Sequence, residues 1–207
     1  MPRTATPAAS TPRVILDVAF AHLVERGFEG LRIRDLAEAA GINQATLLYH
    51  FSDKEELIVA LIGDIIEKLR ARSDAGACTF DEHLHGIADR FTSSPEMYVA
   101  LTEISARATR HPRIAQTFAS YQQGWRERLK AMLRAQAPHA KPAALESAAW
   151  VTQTFVQGLA NTASGSGSLA ALLAGGKRAN EAARRIHAEV DTFCAMMRAG
   201  LRARGTS

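Results

Sequence analysis

An all-α fold of about nine helices, with a small three-helix head at the N-terminus and a larger helical body behind it, is what this sequence predicts. Three observations carry that expectation. Apolar residues recur at i, i+3, i+4 and i+7 nearly end to end, and no segment alternates apolar with polar as a half-buried strand does. Helix-start and helix-stop residues punctuate the pattern at helical lengths. The chain's 207 residues have room for a head plus a body of ordinary domain size, and no internal repeat is visible.

The first dozen residues are small, polar and Pro-rich, so residues 1–11 are expected to form a flexible tail. Thr11 and Pro12 then open a first helix, hydroxyl cap followed by Pro at the first helical position. Leu16, Ala19, Phe20 and Leu23 give it one buried face, and Gly27 stops it. A second short helix spans Arg32 to Ala40, with Ile33, Leu36, Ala37 and Ala40 in helical spacing and Gly41 beyond. Asn43 caps a third from Gln44 to about His50, its side chain placed to accept from the amide of Thr46. Ser52 with Glu55 fits a capping box for a fourth helix. That helix, residues 53–72, is apolar around much of its girth (Leu57, Ile58, Leu61, Ile62, Ile65, Ile66, Leu69), which suits a strut packed on two sides.

A boundary is expected at residues 73–78 (SDAGAC), where Gly, Ser and Ala interrupt the pattern. The sequence thus divides into a head at 12–56 and a body at 73–207, joined by the fourth helix. In the body, helices are expected at Phe80–Phe91, Pro95–Arg110, Pro112–Gln136, Pro142–Ser164 and Ala179–Arg204. SGSGS at 164–168 reads as a flexible connection, and Ala170–Ala174 as an extra turn.

Composition excludes several classes. At 47% hydrophobic and 22% charged residues the chain is globular rather than disordered. No apolar run approaches the ~18 residues of a membrane span, and the N-terminus lacks the apolar core of a secretory signal, so the cytoplasm is the expected compartment. Cys78 and Cys194 are too few for a disulfide framework or a four-ligand zinc site and read as reduced thiols. A formal charge of +4 is compatible with nucleic acid, yet residues 1–72 hold nine Lys/Arg against ten Asp/Glu, so bulk charge makes no case. The stretches free of acidic residues, Arg3 to Arg13 and Ala39 to Ser52, are where a phosphate backbone meets no repulsion.

Two short helices joined by the tight turn Gly41-Ile42-Asn43 form a helix-turn-helix, whose second helix enters a major groove. From Arg32 to Leu57 the sequence RIRDLAEAAGINQATLLYHFSDKEEL closely resembles the signature of the tetracycline-repressor (TetR) family. The resemblance rests on the AEAAG helix end, the ATL core, the aromatic run before Phe51 and the Lys-Glu-Glu-Leu entry to helix four. It covers about fifty residues of the chain's N-terminal part; the remainder matches in length and helical character alone.

What the resemblance implies can be set out position by position. Gln44 and Ala45 are the first exposed residues of the recognition helix: a Gln amide pairs with adenine and an Ala methyl touches a thymine methyl. Arg34 is similar to a position from which some members reach a base, its guanidinium fork matching guanine, although Asp35 and Glu38 beside it leave a solvated helix face as the alternative. Thr46, Tyr49, His50 and Lys54 match phosphate-holding positions, and Asn43 belongs to the same cluster. Leu48 departs from the phosphate-binding Tyr common there, and Arg32 from a capping Thr. The family's architecture implies a homodimer on a palindromic operator of double-stranded DNA, released by a small, largely apolar effector, without cofactor or metal. Phe28, Leu47 and Phe51 are expected in the core.

For the body, residues of apolar wall with a few polar groups mark a candidate small-molecule site: Met97, Tyr98, Leu101, Thr102, Phe118, Tyr121, Trp125, Trp150, Thr154 and Gln157. Val151, Phe155 and Gly158 form a stripe with a small residue that admits a close helix neighbour, and Val190, Phe193 and Met197 supply a partner stripe on the last helix. The pair is expected to build a four-helix bundle across a two-fold axis. Plain intrachain core is the alternative for each stripe. His83 and His85 point to different helix faces, so with Asp81 and Cys78 they make no metal site. No nucleophile elbow, phosphate-binding loop or HExxH is present. A DNA-binding regulator without an effector, or a helical enzyme or carrier with an incidental head, remain the other classes.

Overall fold

Every regular element among the residues described by the computed structural model, 11–73 and 78–205, is a helix. The head comprises α1 (Thr11–Arg26), a 3-10 turn (Phe28–Gly30), α2 (Ile33–Ala39) and α3 (Gln44–His50). The strut is α4 (Lys54–Ser73). The body comprises α5 (Phe80–Ser93), α6 (Pro95–Ala108), α7 (Pro112–Gln136), α8 (Pro142–Gly165), α9 (Ser168–Ala174) and α10 (Gly176–Gly205). The expected tail at 1–11 and the heart of the expected boundary at 73–78 lie largely outside the described residues.

The head folds around Ile15, Ala19, Leu23, Phe28, Leu31, Leu36, Leu47 and Phe51, all buried. On α1 the buried register centres on Ile15, with Leu16 and Phe20 only half-buried, because Phe20 lies beneath the Lys68 ammonium of α4. Gly27 adopts φ +63°, a backbone that favours glycine, and the Glu103 carboxylate of α6 lies against it, 3.1 Å from where a Cβ would stand. Helix α2 ends in a Schellman motif: Ile42 N–H donates to Ala37 O and Gly41 N–H to Glu38 O, with Gly41 at φ +68°. This turn sets the angle between α2 and α3.

Helix α4 buries Leu57, Ile58, Leu61, Ile62, Ile65, Ile66 and Leu69 and packs on α1 in the head and on α7 in the body. Its start differs from expectation. Asp53 Oδ1, rather than Ser52, accepts from the Glu56 amide, and Glu56 reaches back to the amide and hydroxyl of Ser52. The cap is thus shifted by one residue, since Asp53 also satisfies an N-terminal donor and its charge suits the helix dipole. Arg13, at the end of an acid-free stretch, is drawn to Asp64 at 2.6 Å and to Asp17, which binds α1 to α4 instead of leaving that guanidinium for phosphate.

In the body, α5 carries a full capping box between Thr79 and Glu82. Helices α5 and α10 are tied by Arg198 with Asp81, His85 with Asp191 and His187 with Asp89. The expected flexible connection at 164–168 is a tight turn instead: α8 runs on to Gly165, Gly167 takes φ +76°, and α9 begins at Ser168. There Leu169 and Leu172 of α9 bury their side chains, and the helix packs on α10, α8 and α6.

Candidate nucleic-acid interface and ligand cavity

Helix α3 is held from behind and open in front. Leu47 fastens it to the core, and the Asn43 side chain accepts from the Thr46 amide at 2.7 Å, closing its first turn. Gln44, Ala45 and Tyr49 face solvent, with Tyr49 85% exposed and its ring edge-on to His50 at 5.3 Å. An aromatic so exposed gains little from folding, which suits a residue used at a surface. Thr46 and His50 are half-buried, and Thr46 Oγ1 donates to Asn43 Oδ1 at 3.0 Å. Arg34 projects from α2 with Nε 3.5 Å from Asp35, an exposed pairing of little strength. Lys54 extends towards the carbonyl of Phe28, 3.5 Å away, between α4 and the head. Arg32 is the N-cap of α2 and makes no side-chain cap, as the departure from Thr implied.

A cavity of about 60 Å³ lies in the body, where α4, α5, α6, α7 and α8 meet. Its apolar wall includes Leu69, Ile87, Leu101, Phe118 and Val156, and its polar wall His83, Arg90, Thr102, Tyr121, Arg128 and Gln157. The Trp125 indole N–H donates to His83 Nε2 at 3.0 Å, so that nitrogen carries no proton. Burial, then the nearby guanidinium groups of Arg90 and Arg128, push His83 down to about 4. Burial raises Tyr121 above its ordinary value. The Thr102 hydroxyl oxygen is buried with no hydrogen-bond partner among the described residues. Gln153 is already engaged: it donates to the Gln122 carbonyl at 2.7 Å and accepts from Arg126 at 2.8 Å.

Two family models match this chain, "Bacterial regulatory proteins, tetR family" over residues 15–61 and "BetI-type transcriptional repressor, C-terminal" over residues 81–195. The chain is a TetR-family transcriptional regulator. Members of this family are regulators of transcription rather than enzymes. Among curated relatives, the HTH-type transcriptional repressor KstR2 of Mycobacterium tuberculosis is 36% identical over 72 residues. Those residues span 35% of this chain and 36% of that protein, about a third of each. The HTH-type transcriptional regulator RutR of Escherichia coli is 36% identical over 55 residues, 27% of this chain and 26% of that one. A transcriptional regulator from Rhodococcus sp. RHA1 shares the fold at TM-score 0.77 and 21% identity, covering 92% of this chain and 97% of its own. A regulator from Saccharomonospora viridis, solved in complex with choline, does so at TM-score 0.68 and 18% identity, covering 87% and 95%.

Within this TetR-family frame, the sequence-predicted residues divide by position. Asn43, Gln44, Ala45, Thr46, Tyr49 and His50 lie on α3 or at its N-cap, Arg34 projects from α2, and Lys54 opens α4 with its ammonium 3.5 Å from the Phe28 carbonyl. Tyr98, Leu101, Thr102, Phe118, Tyr121, Trp125 and Gln157 all line the cavity. Met97 does not: it is buried on α6 one turn before Leu101, outside the cavity lining. Trp150 and Thr154 lie outside, on an open groove of α8, where the Arg126 guanidinium covers the Trp150 ring at 3.8 Å.

On the last helix the register falls differently from the expected dimer stripe. Val190 and Phe193 are 2% and 8% exposed within the single chain, and Phe193 stacks on Phe155 at 4.0 Å, which is the intrachain alternative. Met197 is half-buried, whereas Val151 and Gly158 face solvent. Sequence reasoning weighed His83 only as a metal ligand and passed over Arg90 and Arg128. A signal existed: His83, Ile87 and Arg90 follow i, i+4, i+7 on the apolar face of α5, and Tyr121, Trp125 and Arg128 do so on α7.

No helix among the described residues is long and apolar enough to cross a membrane, and no group of three or more His, Cys, Asp or Glu among them is placed to hold a metal ion. Asp81 pairs with Arg198, and both cysteines are free thiols.

Proposed function

We propose that this TetR-family regulator is a homodimeric repressor that grips a palindromic operator through two copies of α3 and lets go when a small molecule enters the body cavity. The single observation that carries the reading is the course of α6. Tyr98, Leu101 and Thr102 line the cavity, and within two turns the same helix lies against the head. There Glu103 meets Gly27, and Arg107 covers the Phe28 ring at 5.5 Å and reaches Glu29 at 3.7 Å. Leu69 of α4 forms part of the same cavity wall. A ligand too large for about 60 Å³ must part these helices, and the head is attached to two of them. Such a ligand acts through differential affinity for the two arrangements.

Base reading falls to Gln44 and Ala45, with Arg34 adding a guanidinium; Thr46, Tyr49, His50 and Lys54 hold phosphates. For dimerisation, α8 offers an uncharged exposed row of Ser147, Val151, Thr154, Gly158 and Thr162, and α10 offers Thr192, Ala195, Met196 and Ala199. Exposed rows without charge on two long helices support a four-helix contact with a second copy. A neighbour in complex with choline supports a small-molecule effector here as well.

Selection from a library of random duplexes with the full chain tests the reading. The expected result is enrichment of an inverted repeat with half-sites about one helical turn apart, bound by a species of twice the monomer mass in light scattering. Absence of any enriched sequence would overturn it. An effector-independent regulator is the second reading, and the cavity beside α6 weighs against it, since a constitutive protein would be expected to fill that space.

A further inference from the structure

We propose that Leu48 is a base-reading residue, its isobutyl group laid against the C5-methyl of a thymine in the major groove of the operator. This rests on the DNA reading above and adds a specificity determinant that Gln44, Ala45 and Arg34 do not supply.

Leu48 is placed against the preference of its side chain. Leucine is among the residues most often buried, and Leu23, Leu31, Leu36 and Leu47 of the same head are 0% exposed, yet Leu48 is 41% exposed. Exposed apolar residues scattered singly are ordinary. This one is followed directly by Tyr49, 85% exposed. It also stands four residues after Gln44 and three after Ala45, both exposed, which puts all three on one face of α3. Helical side chains tilt towards the N-terminus of their helix, so Leu48 leans over Gln44 and Ala45. Leu47 in the core and the Asn43 cap hold the backbone behind that face.

Chemistry then limits what the residue can recognise. From Gln44 to His50 there is no Asp, Glu, Lys or Arg, so the face presents itself without fixed charge. A leucine has neither hydrogen-bond donor nor acceptor and can hold no phosphate, which is the role of the Tyr common at this position. In the major groove the feature an alkyl side chain recognises is the thymine C5-methyl. The Cβ atoms of Ala45 and Leu48 stand about 5–6 Å apart, and base pairs are stacked about 3.4 Å apart. Leu48 therefore meets a base pair one or two steps from the one that Ala45 meets.

A uracil scan of the selected duplex tests the contact with the full chain. Each thymine of a half-site is replaced in turn by uracil, which deletes the methyl group and keeps every hydrogen-bonding group of the base pair. One such position is expected to weaken binding about fourfold, the value of one buried methyl group. In Leu48→Ala, thymine and uracil at that position should bind alike to within about 1.5-fold. Leu48→Met keeps an apolar side chain of similar reach and should keep the preference. The dependence of affinity on salt should be the same in Leu48→Ala as in the native chain, because no phosphate contact is lost.

Thymine preferences that are all unchanged in Leu48→Ala would overturn the proposal. So would a loss of affinity in that variant that is equal for thymine and uracil duplexes, which marks a structural role. A shallower salt dependence would move the residue to the backbone, and a changed mass in light scattering would move it to a contact between protein chains; either result overturns the proposal as well. If selection enriches no duplex, the DNA reading fails and takes this one with it. If a duplex is enriched and its methyl groups are indifferent to Leu48, this proposal fails alone.

Discussion

Head and body place their polar groups on opposite sides of the protein surface. The head's buried side chains are all apolar, and the residues proposed to meet DNA lie on α2, α3 and the start of α4, none of them buried. In the body the buried polar residues His83, Thr152 and Gln153 sit within the helical layers, and the assigned ligand residues line an interior space. Surface function can be altered with little effect on folding, because an exposed side chain contributes little to stability. Interior function cannot, because buried polar groups such as His83 and Gln153 hold the helices together through their hydrogen bonds. On the proposed function, the head is a separable reader and the body a sensor whose stability and specificity share the same atoms.

The largest effect expected is structural and confined to the head. Leu47→Ala removes the anchor of α3 from a small core and should cost roughly 2–5 kcal/mol. It should give a calorimetric trace in which a low-temperature transition separates from the body's. A single transition shifted as a whole would break the comparison, since it would make head and body one cooperative unit.

Next is acid sensitivity of the body. The folded chain keeps His83 unprotonated down to about 4, whereas the unfolded chain takes up that proton at the ordinary value of 6.5. Between these values the unfolded state binds more protons, so the contribution is fully present above pH 6.5 and is lost as pH falls towards 4. It amounts to at most about 3 kcal/mol. His83→Gln keeps an acceptor for Trp125, and the difference between its urea midpoints and those of the native chain should narrow over that window. Parallel curves would show that His83 titrates normally.

A charge on the reading surface should separate binding from folding. Ala45→Asp places an anion near the N-terminus of α3, which favours the helix and repels phosphates. Affinity for the selected duplex should drop roughly a hundredfold (about 2.8 kcal/mol) while the melting temperature holds or rises. A fall in melting temperature parallel to the loss of binding would undo the idea of a separable reader. Smallest of all, Asn43→Ala deletes the side-chain acceptor of the Thr46 amide and should lower the head's stability by about 1 kcal/mol. Differential hydrogen exchange at Thr46 would register it.

Local rules were strongest where local interactions decide. The Asn43 cap, the Gly41 turn and the run of buried residues on α4 were legible because each depends on neighbours a few residues away. The Ser52–Glu55 box was misplaced by one residue for the same reason: Asp53 and Glu56 offer the same spacing with a stronger cap. Helical periodicity placed Phe118, Tyr121 and Trp125 on one stripe and could not say that the stripe faces a cavity. Arg90 and Arg128 drew no reading from the sequence, and only the convergence of α5 and α7 brings both to one wall. The register of α10 was undetermined for a similar reason. Val190, Phe193 and Met197 satisfy the spacing of an inward stripe as well as an outward one, and the stacking of Phe193 on Phe155 decides it.

The two tryptophans report on different territories. Trp125 is enclosed, its indole N–H bound to His83, whereas Trp150 is 53% exposed under the Arg126 guanidinium. Their emission should therefore differ in wavelength and in access to a soluble quencher such as iodide. Ordinary fluorescence can then follow events at the interior wall through the blue component, while the red component serves as an internal standard on the outside of the same molecule.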